Sequence, residues 1–377
     1  MAIQSAFTLT ANEIYDTLAN LIISQEVFSD NLGEHQTLVD KARVDGGLFG
    51  DTKLYYATDV LKSHVWGASG GKEGVMDVEA ANLLSLDRAA DPQVQAIKLD
   101  KFRQIRLTVD NYMTKRAFAD EGAFSSFNGV MLGWLRETKR VYDGTLYNVF
   151  IGTTVSAASG QNISVNLDSA SAGDPLYGLS GVEKEQMEAM LIAQRLADLF
   201  VAMGDYSRDF NDYGNLRSYA KEGIKVIWNS KFVNKIRKVD LPTIFHKDGL
   251  VDKFEEEILP EKYFGTKNSA QVAAASNTGQ YRSVIEKDYT VSNVTTHVFP
   301  GDKIPSGAII AAGEGYTAPA KDVICKVLVK LPPLMSAFEV GTTFFNPRSL
   351  TENHYLTFGH NTLAYLKNYP FITVSVK

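Results

Sequence analysis

Cysteine is almost missing from this sequence, since Cys325 is the only one among 377 residues. A single thiol excludes a disulfide within the chain and a zinc site built from several cysteines. No apolar run approaches the ~18 residues that a membrane-spanning helix needs. The opening residues, MAIQSAFTLTANEIYD, have neither the basic start nor the apolar stretch of a secretory signal. We therefore expect a protein of a reducing cytoplasm, with no membrane partner.

An excess of positive charge is missing as well. The chain has 38 lysines and arginines against 44 aspartates and glutamates, a net charge of −6. Dedicated nucleic-acid-binding proteins usually carry a basic excess or a basic stripe. The composition is 45% hydrophobic and 22% charged, which is ordinary for a globular protein. No repeat or linker divides the chain, so we predict one interlocked α+β unit with two lobes.

Signatures of nucleotide binding and catalysis are also missing. The glycine cluster WGASGGKEG at 66–74 departs from the phosphate-loop pattern, because Trp66 replaces its first glycine and Glu73 its hydroxyl residue. Cys325 lies in the apolar run VICKVLVKL, which indicates a buried residue and not a nucleophile. We predict no catalytic residue, no cofactor and no enzymatic activity. A cytoplasmic enzyme with an active site built only from distant residues remains an alternative.

Metal-binding patterns are equally absent. The six histidines are scattered, and the nearest pair, His354 and His360, has a spacing of six that suits no zinc site. The acidic run Glu255-Glu256-Glu257 could bind a cation, but it is more typical of a solvated helix face. We predict no metal site.

An amphipathic helix is predicted near the start of the chain. Thr10 and Glu13 fit a capping box, and apolar residues then recur on one face. A helix this short is marginally stable alone, so it needs a surface to pack on, in this subunit or in another. The residues of that face are Ile14, Leu18, Leu21 and Ile22.

A long irregular segment follows at 64–93. It holds several glycines and shows no sustained period of 2 or 3.6. Segments of this length without periodicity are uncommon inside compact domains and tend to be functional. We interpret it as a protruding flap. The alternation of Ile97, Leu99, Ile105, Leu107 and Val109 then predicts a strand.

The clearest element is a helix over 119–151. Apolar residues recur there every three or four positions for roughly eight turns, which corresponds to about 48 Å. Its glycines lower helix propensity, so packing must hold it, and Gly152 is a plausible C-terminal stop. We expect Trp134 to pack against the sheet.

Further elements follow the long helix. The pattern predicts a hairpin over 153–169, a helix from the N-cap Ser180 to about Met203, a buried strand over 223–229 and a last strand at the C-terminus. The 20 phenylalanines, 17 tyrosines and three tryptophans fit large buried contact areas. Together with the isolated arm and flap, they indicate an obligate assembly.

Three stretches carry a resemblance to a known family. KLDKFRQIRLTVDNYMTKRAF (98–118) and the helix after it are similar to the strand and spine helix of tailed-bacteriophage major capsid proteins, whose fold is also seen in encapsulins. RSYAKEGIKVIWNSKFVNKIRKVD (217–240) resembles the strand and helix of their axial domain. FFNPRSLTENHYLTFGHNTLAYLKNYPFITVSVK (344–377) resembles their C-terminal return. The likeness is to small podovirus-like and crAss-like phage capsids and covers most of the chain.

The resemblance implies an organisation of the chain. It comprises an N-terminal arm at 1–50, an extended-loop region at 51–100, a peripheral domain at 101–180 and 341–377 with the spine helix, and an axial domain at 181–340. The extended loop would contact neighbouring subunits through Trp66, Lys72, Leu83 and Leu84, and the arm through Ile14, Leu18, Leu21 and Ile22.

The resemblance also implies a function. The chain would assemble as hexamers and pentamers into an icosahedral virion shell around double-stranded DNA, built in the host cytoplasm. Its partners would be identical subunits, a portal, a separate scaffolding protein and cement proteins. An encapsulin-like compartment shell with protein cargo is the alternative.

Contact with the packaged DNA is expected to be weak and non-specific. A shell that gripped phosphates tightly would oppose packaging, and the net charge of −6 fits a weakly binding lining. The candidate basic residues for this contact are Lys41, Arg43, Arg136, Lys139 and Arg140.

Overall fold

The computed structural model describes residues 37–45, 52–61, 89–110, 121–233, 255–317 and 323–377, and it confirms the predicted α+β class. The helices are α1 (Thr37–Ala42), α2 (Glu121–Thr153) and α3 (Gly181–Gly204). Strands before residue 300 are β1 (Arg43–Asp45), β2 (Thr52–Ala57), β3 (Gln93–Asp110), β4 (Asn162–Val165), β5 (Lys225–Asn229), β6 (Glu255–Leu259), β7 (Thr266–Lys267), β8 (Tyr281–Ser283), β9 (Lys287–Val291) and β10 (Val294–Val298). Later strands are β11 (Gly315–Thr317), β12 (Val323–Leu328), β13 (Leu334–Asn346), β14 (Thr351–Asn361) and β15 (Phe371–Val376).

One sheet, here called the long sheet, has the strand order β1-β13-β14-β3-β2. Strand β3, next to the edge strand β2, has 18 residues and two partners. Residues 93–98 pair with β2, whereas 99–110 pair with β14, both antiparallel. The stretch 97–109, whose alternation predicted a strand, lies within β3, which pairs with β2 at one end and with β14 over the rest of its length.

The second sheet, here called the core sheet, has the order β4-β15-β12-β5-β6. Helices cover both of its faces. In β5, Val226 and Trp228 pack in one cluster with α3, whereas Ile227 packs in another with the end of α2. The sequence of a strand that is buried on both faces is a continuous apolar run. This explains why the predicted strand over 223–229 showed no alternation.

Helix α2 confirms the predicted long helix, with bounds two residues later than expected. Its 33 residues span about 50 Å. Leu135, Lys139 and Tyr142 lie on its buried face. The expectation for Trp134 was wrong, because its side chain is 36% exposed in the single chain. Apolar residues surround this part of the helix, so spacing alone could not show which of them face the sheet.

Gly152 lies inside the last turn of α2, which ends at Thr153, and does not form the predicted stop. A Cβ atom there would lie 2.1 Å from the backbone oxygen of Tyr263. Gly152 is therefore needed for the close approach of the segment around Tyr263. By contrast, a Cβ atom at Gly133 would meet nothing within 4 Å.

Two local predictions were wrong. The segment 153–169 does not form a hairpin, because its strand β4 pairs in parallel with β15 from the other end of the chain. The acidic run at 255–257 is part of strand β6 and not of a helix. Glu255 and Glu257 are neighbours on one face of β6, and both pair with the ammonium group of Lys41, which offsets their mutual repulsion.

The predicted domain boundaries stay a prediction. Residues 340 and 341 both lie within β13, so a boundary between them falls inside one strand of the long sheet. The C-terminal strand β15 lies in the core sheet between β4 and β12. Within the described ranges, no helix is both long and apolar enough to cross a membrane.

Candidate assembly surfaces

An apolar face is exposed on the β2–β3 hairpin. Tyr56 is 62% exposed and lies opposite Val94 in the strand register, and Leu54 lies opposite Ala96. Paired residues of a sheet project from the same face, so these four side chains form one patch. Contiguous exposed apolar surface is typical of protein interaction sites. The patch lies on the hairpin whose connecting segment was predicted to be the extended loop.

Further exposed apolar residues lie at the far end of the long sheet, on both of its faces. Phe344 is 60% exposed and Phe345 is 49% exposed, just before the turn that joins β13 to β14. Leu350, in that turn, is also exposed and has a φ of 54°, which is uncommon for a residue other than glycine. Aromatic side chains at such a protruding end gain stability only when another surface covers them.

The predicted contact residues lie outside the described residues. This holds for Trp66, Lys72, Leu83 and Leu84 of the extended loop, and for Ile14, Leu18, Leu21 and Ile22 of the arm. Their roles stay predictions. Sequence reasoning missed Tyr56 and Phe344 because an alternating strand does not reveal which of its two faces the rest of the chain leaves exposed.

Most of the basic residues proposed for DNA contact have carboxylate partners. Lys139 is buried and lies 3.6 Å from Asp143 and 3.1 Å from Glu339. Arg43 lies 3.4 Å from the same Asp143, and Lys41 pairs with β6. Arg140 reaches Asp40 at 4.0 Å. These pairs neutralise the cations within the subunit, so they are poor candidates for binding phosphates. Arg136 is exposed and has no ion pair within the described part of the chain.

These pairs belong to a polar layer that fixes α2 on the long sheet. Burial raises the pKa of Asp143, while Lys139 and Arg43 oppose that rise. Beside them, the Tyr142 hydroxyl lies 2.9 Å from Nε2 of His360. The Nδ1–H of His360 donates to the backbone oxygen of Asn361 at 2.9 Å, so Nε2 accepts from the tyrosine. Burial lowers the pKa of His360, which favours this neutral form.

A fully buried lysine joins α2 to the core sheet. The Nζ atom of Lys326 donates to the Thr154 backbone oxygen at 2.6 Å and to the Thr373 hydroxyl at 2.8 Å. Thr154 follows the last residue of α2, where helix carbonyl groups lack partners within the helix. Burial lowers the pKa of Lys326 to about 7. Lys326 thus satisfies the end of the helix without a carboxylate.

The described residues contain no group of three or more histidine, cysteine or acidic side chains arranged to hold a metal. The Cys325 thiol is fully buried, as the sequence predicted, and burial raises its pKa. A buried neutral thiol is chemically inert. His354 and His360 both lie on the face of β14 that is turned toward α2, and both side chains are buried there.

Comparison with solved structures shows a shared fold. The capsid structure of Staphylococcus phage Andhra matches with a TM-score of 0.53 and 11% identity over 89% of this chain and 83% of that chain. A structure of the head fiber and inner core protein gp22 of native bacteriophage P68 matches with a TM-score of 0.53 and 9% identity, covering 90% of this chain and 84% of that chain. No protein-family model and no curated protein matches the sequence. The chain therefore has the fold seen in these phage head structures, as the sequence resemblance predicted.

Proposed function

We propose that this chain is a major capsid protein, a structural protein that self-assembles into the icosahedral shell of a bacteriophage. The observation that carries the proposal is the likeness of 89% of the chain to a phage capsid structure. The exposed apolar surfaces at Tyr56 and Phe344 support it, because a subunit that works alone gains nothing from them. The role is architectural and needs no catalytic group.

The proposal extends to the partners. Identical subunits form hexamers and pentamers, with the arm at 1–50 and the extended loop at 64–93 contacting neighbours. Portal, scaffolding and cement proteins complete the particle, which forms in the host cytoplasm. The packaged double-stranded DNA touches the shell weakly. The ion pairs of Lys139 and Arg43 with Asp143 support weak contact, since these two cations are not free to bind phosphates.

Light scattering on the purified subunit tests this function. Wild type at increasing concentration, with its scaffolding protein where available, is expected to form particles far larger than one 41.5 kDa chain. A persistent monomer under all of these conditions contradicts the proposal. Particles that enclose protein cargo and no DNA during infection indicate a compartment shell instead.

DNA contact is tested separately by a mobility-shift titration of soluble subunits with duplex DNA at ~150 mM salt, where charges are screened beyond ~8 Å. We expect no submicromolar binding and no sequence preference. Tight or sequence-specific binding indicates a genuine nucleic-acid-binding protein.

A further inference from the structure

A pocket separates α2 from the hairpin of β13 and β14. Its volume is about 490 Å³, within the size range of ligand-binding pockets. Leu135 and Arg136 of the helix form one wall, and Gly341 and His354 of the sheet contribute to the other. Gly341 opens the pocket, because a Cβ atom at this position would meet nothing within 4 Å.

Two nitrogen-bearing side chains at the pocket have no carboxylate partner among the described residues. His354 is 8% exposed, and its buried Nδ1 atom has no hydrogen-bond partner. An orphaned polar atom at this depth is costly, so native proteins rarely keep one. Arg136 lies at the same pocket, exposed and without an ion pair among the described residues. Among the described residues of the pocket the one carboxylate is that of Glu339, which is already 3.1 Å from Lys139.

Arginine and an imidazole N–H both recognise carboxylate oxygens. We propose that this pocket receives an acidic side chain from a second copy of this chain, bound by Arg136 and His354. The inference rests on the proposed shell function, which brings copies into contact. The composition favours it, because 44 acidic residues against 38 basic ones leave a surplus of carboxylates on every copy. A contact of this kind gives the exposed Arg136 and the His354 ring a carboxylate partner only after assembly.

Three substitutions separate the pocket from the rest of the subunit. Arg136→Ala removes the exposed cation, His354→Leu removes the orphaned ring, and Gly341→Leu fills the space. Gly341→Ala is the matched control for volume, and Arg106→Ala is the matched control for charge, because Arg106 is an exposed arginine of β3. Arg136→Ala changes an exposed position, so it remains informative if Gly341→Leu does not fold.

The readouts are particle yield by sedimentation and the urea midpoint of the unassembled subunit. We expect Arg136→Ala, His354→Leu and Gly341→Leu each to raise the protein concentration needed for assembly by roughly tenfold or more, as for the loss of one charge-assisted hydrogen bond. The two controls assemble like wild type. Arg136→Ala keeps the urea midpoint of wild type.

A photo-crosslinking amino acid at Thr343, on the pocket rim, identifies the occupant. In assembled particles it is expected to yield a species of twice the chain mass, joined near an aspartate or glutamate. Crosslinks only within one chain, or only to DNA, overturn the proposal. If wild type forms particles and the three variants assemble equally well, the pocket proposal is overturned while the shell function stands. A wild type that never assembles contradicts both.

Discussion

Replacement of Lys326 by methionine tests the buried junction between α2 and the core sheet. The wild-type amine is fully buried and donates to Thr154 and Thr373. Methionine keeps most of the volume but leaves the Thr154 carbonyl oxygen unpaired. A buried acceptor without its partner costs about 1–3 kcal/mol of the free energy of unfolding. We expect Lys326→Met to be less stable than wild type at pH 9.

The difference depends on pH in a defined direction. Burial lowers the Lys326 pKa from 10.5 to about 7. Between these values the unfolded chain binds the proton more tightly than the folded one, so the stability of wild type rises with pH. A shift of one pKa unit corresponds to about 1.36 kcal/mol. Between pH 7 and pH 9, the free energy of unfolding of wild type is therefore expected to rise by roughly 2 kcal/mol relative to that of Lys326→Met. Other titrating groups cancel in the difference between the two proteins.

Urea unfolding followed by tryptophan fluorescence at pH 7, 8 and 9 measures this difference, at protein concentrations too low for assembly. Lys303→Met is the control, because it removes a lysine from an exposed position and is expected to change stability by less than about 0.5 kcal/mol. A wild-type advantage that stays constant or shrinks as the pH rises would show that Lys326 is charged in the folded state, and would refute the argument.

Three further predictions concern packing, assembly and reactivity. Gly133→Ala is expected to stabilise the subunit by up to about 1 kcal/mol, since nothing lies near the new methyl group. Gly152→Ala is expected to lower the urea midpoint, because its methyl group clashes with the Tyr263 backbone. Equal effects of the two substitutions would contradict the close approach of Tyr263 to Gly152. Tyr56→Ser is expected to leave the urea midpoint unchanged but reduce particle yield in sedimentation, and an unchanged yield argues against the hairpin patch. Cys325 is expected to react with a thiol reagent only after unfolding, so rapid labelling of the native subunit contradicts its burial.

Local patterns predicted the elements whose burial follows a simple period. The helix at 121–153 was found because its apolar residues recur with the helical period, and the strand at 225–229 because its apolar run is short and continuous. The burial of Cys325 followed from the continuous apolar run around it. These features depend on neighbours along the chain, which a sequence displays directly.

Other features depend on residues far apart in the chain. The pairing of β4 with β15 joins segments about 200 residues apart, and no local signal marks it. The run VICKVLVK contains Lys326 and Lys330, and only the packing of α2 decides that the first of them is buried. The pocket at His354 was also missed, because it arises from a glycine on one strand and an arginine on a distant helix.

Cryo-electron microscopy of particles assembled from the purified chain tests the shell function most directly. We expect closed icosahedral shells of hexamers and pentamers, in which each subunit has the fold described above and the Tyr56 patch is covered by a neighbour. Particles without five-fold and six-fold rings of this chain, or a sample that holds only monomers at every concentration, would contradict the proposed function.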